Sequence, residues 1–124
     1  MFRMMKSEVV APILEQNPDQ PVELLVRNFN TPTIGGEYSP TVGMRIHSLK
    51  IDFNNVDLKE ILPAQLVDDM ISASDWGGRI TAKIFIDYGL KIAAAMGRAV
   101  TIVHQQGGNQ EEADYTTYGP FLPE

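Results

Sequence analysis

Residues 79–96 have the sequence RITAKIFIDYGLKIAAAM, and this stretch decides the fold class because it fits two templates. As a strand, its first half alternates apolar and other residues and is rich in β-branched side chains. As a helix, apolar residues recur at every fourth position, at Ile80, Ile84, Tyr88, Ile92 and Met96. Charges recur at the same interval, at Lys83, Asp87 and Lys91. We interpret the stretch as a helix, and keep a strand followed by a helix as the alternative.

The residues around this stretch also favour a helix. Asp75 is expected as its N-cap, Gly97 as the residue that follows its last turn, and Arg98 as a cation near the negative end of the helix dipole. Gly89 is the main objection, because a glycine within a helix costs about 1 kcal/mol relative to alanine.

Two strands are predicted before this helix. Val22–Phe29 alternates apolar and polar residues, as expected for a strand with one buried face. Val42–Phe53 also has strand character, but its apolar residues change face after Ile46. A β-bulge near His47 and Ser48 would restore the pattern. The alternatives are one strand between two apolar layers, or two short strands.

The remaining elements complete an α+β fold. Asp57 and Glu60 have the spacing of a capping box, which predicts a helical turn. Pro63 is expected to end that turn and to occupy the first position of a second helix. The run 99–103 is apolar and β-rich, and predicts a buried strand. We therefore expect a small antiparallel or mixed sheet with two or three helices packed on one face.

Charge and proline content divide the chain into three parts. Residues 1–21 are expected to form a flexible N-terminal arm or linker, residues 22–106 a single α+β domain, and residues 107–124 an acidic, partly disordered tail. The net charge of the chain is −6, the central part is nearly neutral, and the tail holds four acids and no base. Direct nucleic-acid binding is not expected, because it requires a basic surface.

Composition removes several kinds of site. The chain has no cysteine, which excludes disulfides, thiol nucleophiles and Cys–Zn sites. His47 and His104 are the only histidines, and nothing in their spacing indicates a metal site. We expect no metal and no cofactor. No apolar run approaches the length of a membrane span and no secretory signal is recognised, so a cytoplasmic location without membrane attachment is expected.

Two clusters suggest a site for an anionic metabolite or a nucleotide. Arg27 and Arg45 flank a long loop that contains Gly35, Gly36 and Tyr38. Trp76 and Arg79 flank two glycines at the expected helix start, where open amides and a stacking ring could hold an anion. The predicted ligand-binding residues are Arg27, Tyr38, Arg45, Trp76 and Arg79. The structural alternatives are solvated arginines and a tryptophan that closes the edge of the core.

Function is predicted in three classes. The first is a non-enzymatic binding or assembly protein that forms homo-oligomers through its body and its tails, because both tails carry apolar residues suited to ordering on a neighbour or on another protein partner. The second is the small-molecule binder just described. The third is a small hydrolase or isomerase that uses His47 with Asp52 or Glu37. No set of catalytic residues can be identified from the sequence.

Overall fold

A computed structural model of the chain describes residues 3–5, 10–27, 41–74, 81–106 and 114–123. These residues form an α+β fold with six strands and five short helices. The strands are β1 (Arg3–Met5), β2 (Val22–Arg27), β3 (Thr41–Ile46), β4 (Ile51–Asp57), β5 (Val100–Gln106) and β6 (Asp114–Phe121). The helices are α1 (Val10–Gln16), α2 (Leu58–Ile61), α3 (Ala64–Ser72), α4 (Ala82–Asp87) and α5 (Gly89–Met96).

The strands form one mixed sheet in the order β1-β4-β3-β2-β5-β6. The β1–β4 and β2–β5 pairs are parallel, and the other three pairs are antiparallel. One face of the sheet is apolar and packs with the buried residues of the helices in a single core; its alternating residues include Val22, Leu24, Val26, Val42, Met44, Ile46, Val100 and Ile102. The opposite face, which we call the open face, is partly exposed in the described part of the chain.

The helical interpretation of residues 79–96 is confirmed where the chain is described, from Ala82 onward. The segment forms two helices, because Tyr88 leaves helical geometry with ψ near 6° and separates α4 from α5. Gly97 ends α5 in the left-handed conformation, as predicted. The cap of α4 is Thr81. The predicted cap, Asp75, lies outside the described residues.

The predicted continuous strand over residues 42–53 is wrong, and the alternative of two short strands is correct. A 3₁₀ turn at His47–Leu49 and a left-handed Lys50 reverse the chain between β3 and β4. This hairpin explains the change of apolar phase, because the two strands meet the core separately. A register shift does occur, but it lies further along the pair, where Val42 faces Val56 and Met44 faces Phe53. The intervening Asn54 and Asn55 are exposed.

Two segments predicted to be flexible are parts of the folded body. Helix α1 lies within the predicted N-terminal arm, yet Val10 and Leu14 are buried in the core. Strand β6 lies within the predicted acidic tail, and it pairs with β5 along most of its length. Proline and charge indicated loops in these segments, whereas the apolar residues between them are sufficient to dock on the body. The described residues contain five helices rather than the two or three expected, because α1 adds one and the break at Tyr88 divides another.

Arg98 connects α1 to the start of β5. Its side chain is only 7% exposed and donates hydrogen bonds to the backbone carbonyls of Leu14 at 2.9 Å, Asn17 at 2.8 Å and Gln20 at 3.3 Å. A longer contact of 3.4 Å reaches the carbonyl of Met96 at the end of α5. Burial lowers the pKa of Arg98 from its ordinary value. Arg98, which was predicted as a cation at the end of α5, thus forms most of its hydrogen bonds with carbonyls at the end of α1 and in the turn after it.

Asp57 caps α2, as its spacing predicted. Its Oδ1 accepts a hydrogen bond of 3.0 Å from the backbone N–H of Lys59. We expect Asp57→Ala to lower the free energy of unfolding by about 1 kcal/mol, and Asp57→Asn to be nearly neutral, because an amide oxygen can accept the same bond. Urea denaturation measures both. Asp68→Ala, at an exposed carboxylate 3.7 Å from Lys59 Nζ, is the control and should cost a few tenths of a kcal/mol at most. Equal losses for the two Asp57 variants would contradict the capping role.

Candidate functional site

The described residues do not bring together the five residues predicted to bind a ligand. Tyr38, Trp76 and Arg79 lie outside the described part of the chain. Arg27 ends β2, and Arg45 lies on β3 opposite Glu23. Glu23 and Arg27 are four residues apart, about 13 Å along an extended strand. The two arginines are therefore not directly opposed, and the anion site stays a prediction.

A groove crosses the open face of the sheet. Its volume is about 520 Å³, within the range of small-molecule sites. Strands β2 to β6 all contribute to its lining, together with the turn that follows β3. Because these strands belong to one hydrogen-bonded sheet, the floor of the groove is built on a rigid scaffold.

Three charged residues lie side by side across neighbouring strands at one end of this groove. Asp52 on β4 faces Arg45 on β3, and Arg45 faces Glu23 on β2. Cross-strand neighbours on one face are close enough for their side chains to interact. The row alternates in sign and carries two carboxylates for one guanidinium.

Arg45 and Asp52 form a two-point ion pair. Arg45 Nε donates to Asp52 Oδ1 at 2.7 Å, and a second nitrogen, Nη2, donates to Oδ2 at 3.4 Å. The hydrogen bond to Asp52 raises the pKa of Arg45 despite the opposing effect of partial burial, and the nearby Glu23 and Tyr115 act in the same direction as Asp52. The guanidinium that was predicted to receive an anion is thus already surrounded by acidic groups.

His47 contacts Glu23 and extends the polar end of the groove. Its Nε2 lies 2.9 Å from Glu23 Oε1, and the imidazole is 56% exposed. The sequence paired His47 with Asp52 or Glu37. Asp52 binds Arg45 instead, and Glu37 lies outside the described residues. The carboxylate on His47 is therefore Glu23, a residue that sequence reasoning placed only on the polar face of β2.

The floor of the groove is apolar. Leu25 and Val103 are neighbours on β2 and β5, and Gly43 faces Leu25 from β3. All three are half-buried on the open face. A methyl group added at Gly43 would lie 3.2 Å from the Cβ of Leu25. Because glycine has no side chain, the space above this part of the floor is left open.

The far wall of the groove comes from β5 and β6. Gln105 faces Tyr115 across this pair, and Thr117 faces Val103. Tyr115 is 57% exposed. Tyr115 and Arg45 line the same groove, although β6 and β3 are three positions apart in the sheet. The groove therefore extends over the open face from β3 to β6.

Sequence reasoning missed most residues of this groove. A signal was present in two apolar residues, Leu25 and Val103, which occupy outward positions on strands whose other outward residues are polar. Tyr115 was assigned to the partly disordered tail, so it could not be placed in the same groove as Arg45. Their presence in one groove depends on the strand order, which local periodicity does not encode.

A smaller pocket of about 340 Å³ lies among the helices on the other side of the sheet. Leu14, Ile61, Met96 and Arg98 contribute to its lining. Arg98 is engaged by backbone carbonyls, as described above, so we assign this pocket no binding role. Among the described residues, no three His, Asp or Glu side chains come together as a metal site.

No helix among the described residues has both the length and the apolar character needed to cross a membrane. Comparisons with protein-family models, with curated proteins and with solved structures give no significant match, so the geometry of this chain is the basis for a functional conclusion.

Proposed function

We propose that this chain is a non-enzymatic assembly protein that forms homo-oligomers by pairing the β6 strands of two copies. The observation that carries the proposal is the position of β6 at the end of the sheet. Within the described residues, β5 pairs with one side of β6 and no strand pairs with the other. An edge strand with unpaired N–H and C=O groups is a template for a strand from another chain.

The composition of β6 suits such pairing. Its central residues, Tyr115 to Tyr118, are aromatic or β-branched and favour extended structure. Edge strands that avoid association commonly carry lysines or inward-pointing charges. The central part of β6 carries neither. Pro120, which lacks an N–H, lies near the end of the strand and limits the pairing segment to the residues before it.

An apolar patch lies beside the far end of β6. Phe121 packs against Gly89 at the start of α5. Leu90 and Leu122, the next residue of each segment, are 61% and 59% exposed. Few large hydrophobic side chains are this exposed in the described part of the chain. In an antiparallel pair of β6 strands these leucines lie at the two outer ends of the new strand pair and do not meet across it.

Symmetry and charge favour an antiparallel pair of β6 strands. In a twofold arrangement centred on Thr116 and Thr117, the two copies of Asp114 lie at opposite ends of the new strand pair. The net charge of −6 on each copy still opposes association. Added salt should therefore strengthen the dimer, because it screens this repulsion.

We expect a dimer in sedimentation velocity experiments at protein concentrations from about 1 µM to about 100 µM, with a larger dimer fraction at higher salt. Thr116→Pro and Thr117→Pro test whether the unpaired edge of β6 forms the contact between copies. Adjacent strand residues point their N–H groups to opposite sides, so one proline removes a β5–β6 bond and the other removes only an outward group. The variant that keeps the thermal stability of the parent should be monomeric.

Ala64→Lys, on the exposed start of α3, is the control and should remain dimeric. A monomer mass at every concentration and salt level would contradict the proposal. So would a stable, dimeric protein with proline at both positions.

A further inference from the structure

We propose that the groove on the open face binds a planar nitrogen heterocycle with adjacent N–H donors, as on the edge of guanine or a pterin. This proposal does not require the β6 pairing proposed above, although Tyr115 and Thr117 belong to both regions. Three observations support it: the shape of the groove, its charge and the polar groups at its end.

The shape favours a flat ligand. The floor formed by Leu25, Gly43 and Val103 is apolar, while Arg45 on β3 and Tyr115 on β6 contribute to the lining on opposite sides of it. Guanidinium planes and aromatic rings are the groups on which heterocyclic bases stack in proteins. A ring system lying on the floor would lie between these two side chains of the lining.

The charge of the groove argues against a phosphate and favours a neutral ring. Among the described lining residues, Glu23 and Asp52 together outweigh Arg45 when His47 is neutral, and Arg45 is already bound to Asp52. A phosphate group would face these carboxylates at close range. A base without phosphate brings no negative charge, and its N–H groups are attracted to the carboxylates.

The polar end of the groove supplies hydrogen-bond acceptors. Glu23 Oε1 contacts His47, whereas Oε2 makes no hydrogen bond in the described part of the chain. A carboxylate can accept several hydrogen bonds and can bind two adjacent N–H donors at once. The side-chain amide of Gln105 on the opposite wall is available to hydrogen-bond to another edge of the ring. The arrangement therefore selects a ring with paired donors on one side.

The test uses guanosine, which carries two adjacent N–H donors, and inosine, which lacks the exocyclic amino group. Amide NMR spectra of the full chain are recorded during each titration up to about 5 mM ligand. We expect guanosine to shift the amides of Leu25, Gly43 and Val103. Inosine should bind at least about tenfold more weakly, because it offers the carboxylate one N–H donor where guanosine offers two. Guanosine monophosphate should also bind more weakly than guanosine.

Two variants locate the contacts. Glu23→Gln should weaken guanosine binding at least about tenfold, because the amide accepts at only one atom and repels the second donor. Tyr115→Leu should weaken it by about tenfold, and Tyr115→Phe should retain the stacking. Glu15→Gln, an exposed carboxylate on α1, is the matched control and should bind like the parent. Circular dichroism establishes that each variant is folded.

Absence of shifts in the three floor amides at the highest guanosine concentration would overturn the proposal. Equal affinity for guanosine and inosine, or unchanged binding by Glu23→Gln, would overturn it as well. Because sedimentation measures β6 pairing separately, and Tyr115→Phe leaves the strand intact, failure of one proposal is distinguishable from failure of the other.

Discussion

Replacing Arg98 by methionine is expected to lower the free energy of unfolding by about 3 kcal/mol. Methionine fills a similar volume but donates no hydrogen bond, so the carbonyls of Leu14, Asn17 and Gln20 lose Arg98 as a donor. The carbonyls of Leu14 and Asn17 keep the backbone N–H groups of Asn17 and Gln20 as donors. A hydrogen bond to a charged group contributes about 1.5–3 kcal/mol, and removal of a buried cation offsets part of the sum of the three. Chemical denaturation at neutral pH gives the loss.

Arg98→Lys distinguishes charge from geometry in this contact. A lysine keeps the positive charge, but its single ammonium group cannot reach carbonyls that surround a planar guanidinium. We expect it to recover less than half of the loss. Lys83→Met, which removes an exposed ion pair with Asp87, is the control and should cost at most about 0.5 kcal/mol. If Arg98→Met were as stable as this control, the remaining backbone donors and water would have to satisfy the carbonyls, and the proposed role of Arg98 would be wrong.

Hydrogen exchange should show where the Arg98 contact acts. The amides of α1 and of the turn after it are expected to lose protection in Arg98→Met. In the parent, Arg98 holds this segment against the start of β5 by its hydrogen bonds to the carbonyls of Leu14 and Asn17. The side chain of Asn17, which donates to the carbonyl of Ile13, continues to cap part of α1. The amides of β3 should keep their protection, since that strand lies between β4 and β2 in the sheet.

Local patterns predicted those elements that are stabilised by contacts between residues close to each other in the sequence. The apolar spacing of residues 82–96, the cap at Asp57 and the left-handed Gly97 each depend on contacts within one or two turns, and each is found in the structure. Arg98 was identified as a helix-end cation for the same reason. Its main partners, however, are about eighty residues earlier in the chain. Nothing in the sequence around Arg98 or Leu14 indicates that contact.

The open face illustrates the same limit for a site. Glu23, Arg45 and Asp52 belong to three strands and become neighbours only through the register of the sheet. The alternation of β2 correctly placed Glu23 away from the core. It could not indicate which residues of β3 or β6 would stand beside it. Tyr115 was missed because it belongs to a run of only four aromatic or β-branched residues, 115–118, and the residues around this run are acidic or polar.

Gly89→Ala is expected to destabilise the protein by about 1–2 kcal/mol, although alanine is the better helix former. A methyl group on Gly89 would lie 2.6 Å from three ring atoms of Phe121, so the ring must move away from α5. Because Phe121 is the last residue of β6, its displacement should also loosen the end of the β5–β6 pair. Thermal or chemical denaturation of the variant measures the loss.

A double-mutant cycle with Phe121→Ala isolates this contact. Once the ring is absent, the added methyl group meets no obstacle, and Gly89→Ala should stabilise the helix by up to about 1 kcal/mol. The sign of the Gly89 substitution therefore reverses with the residue at position 121. Ala94→Gly, at an exposed position of the same helix, is the control and should cost about 1 kcal/mol in both backgrounds. A stabilising Gly89→Ala in the parent would mean that Phe121 does not pack on α5, and that the end of β6 is held by its pairing with β5 alone.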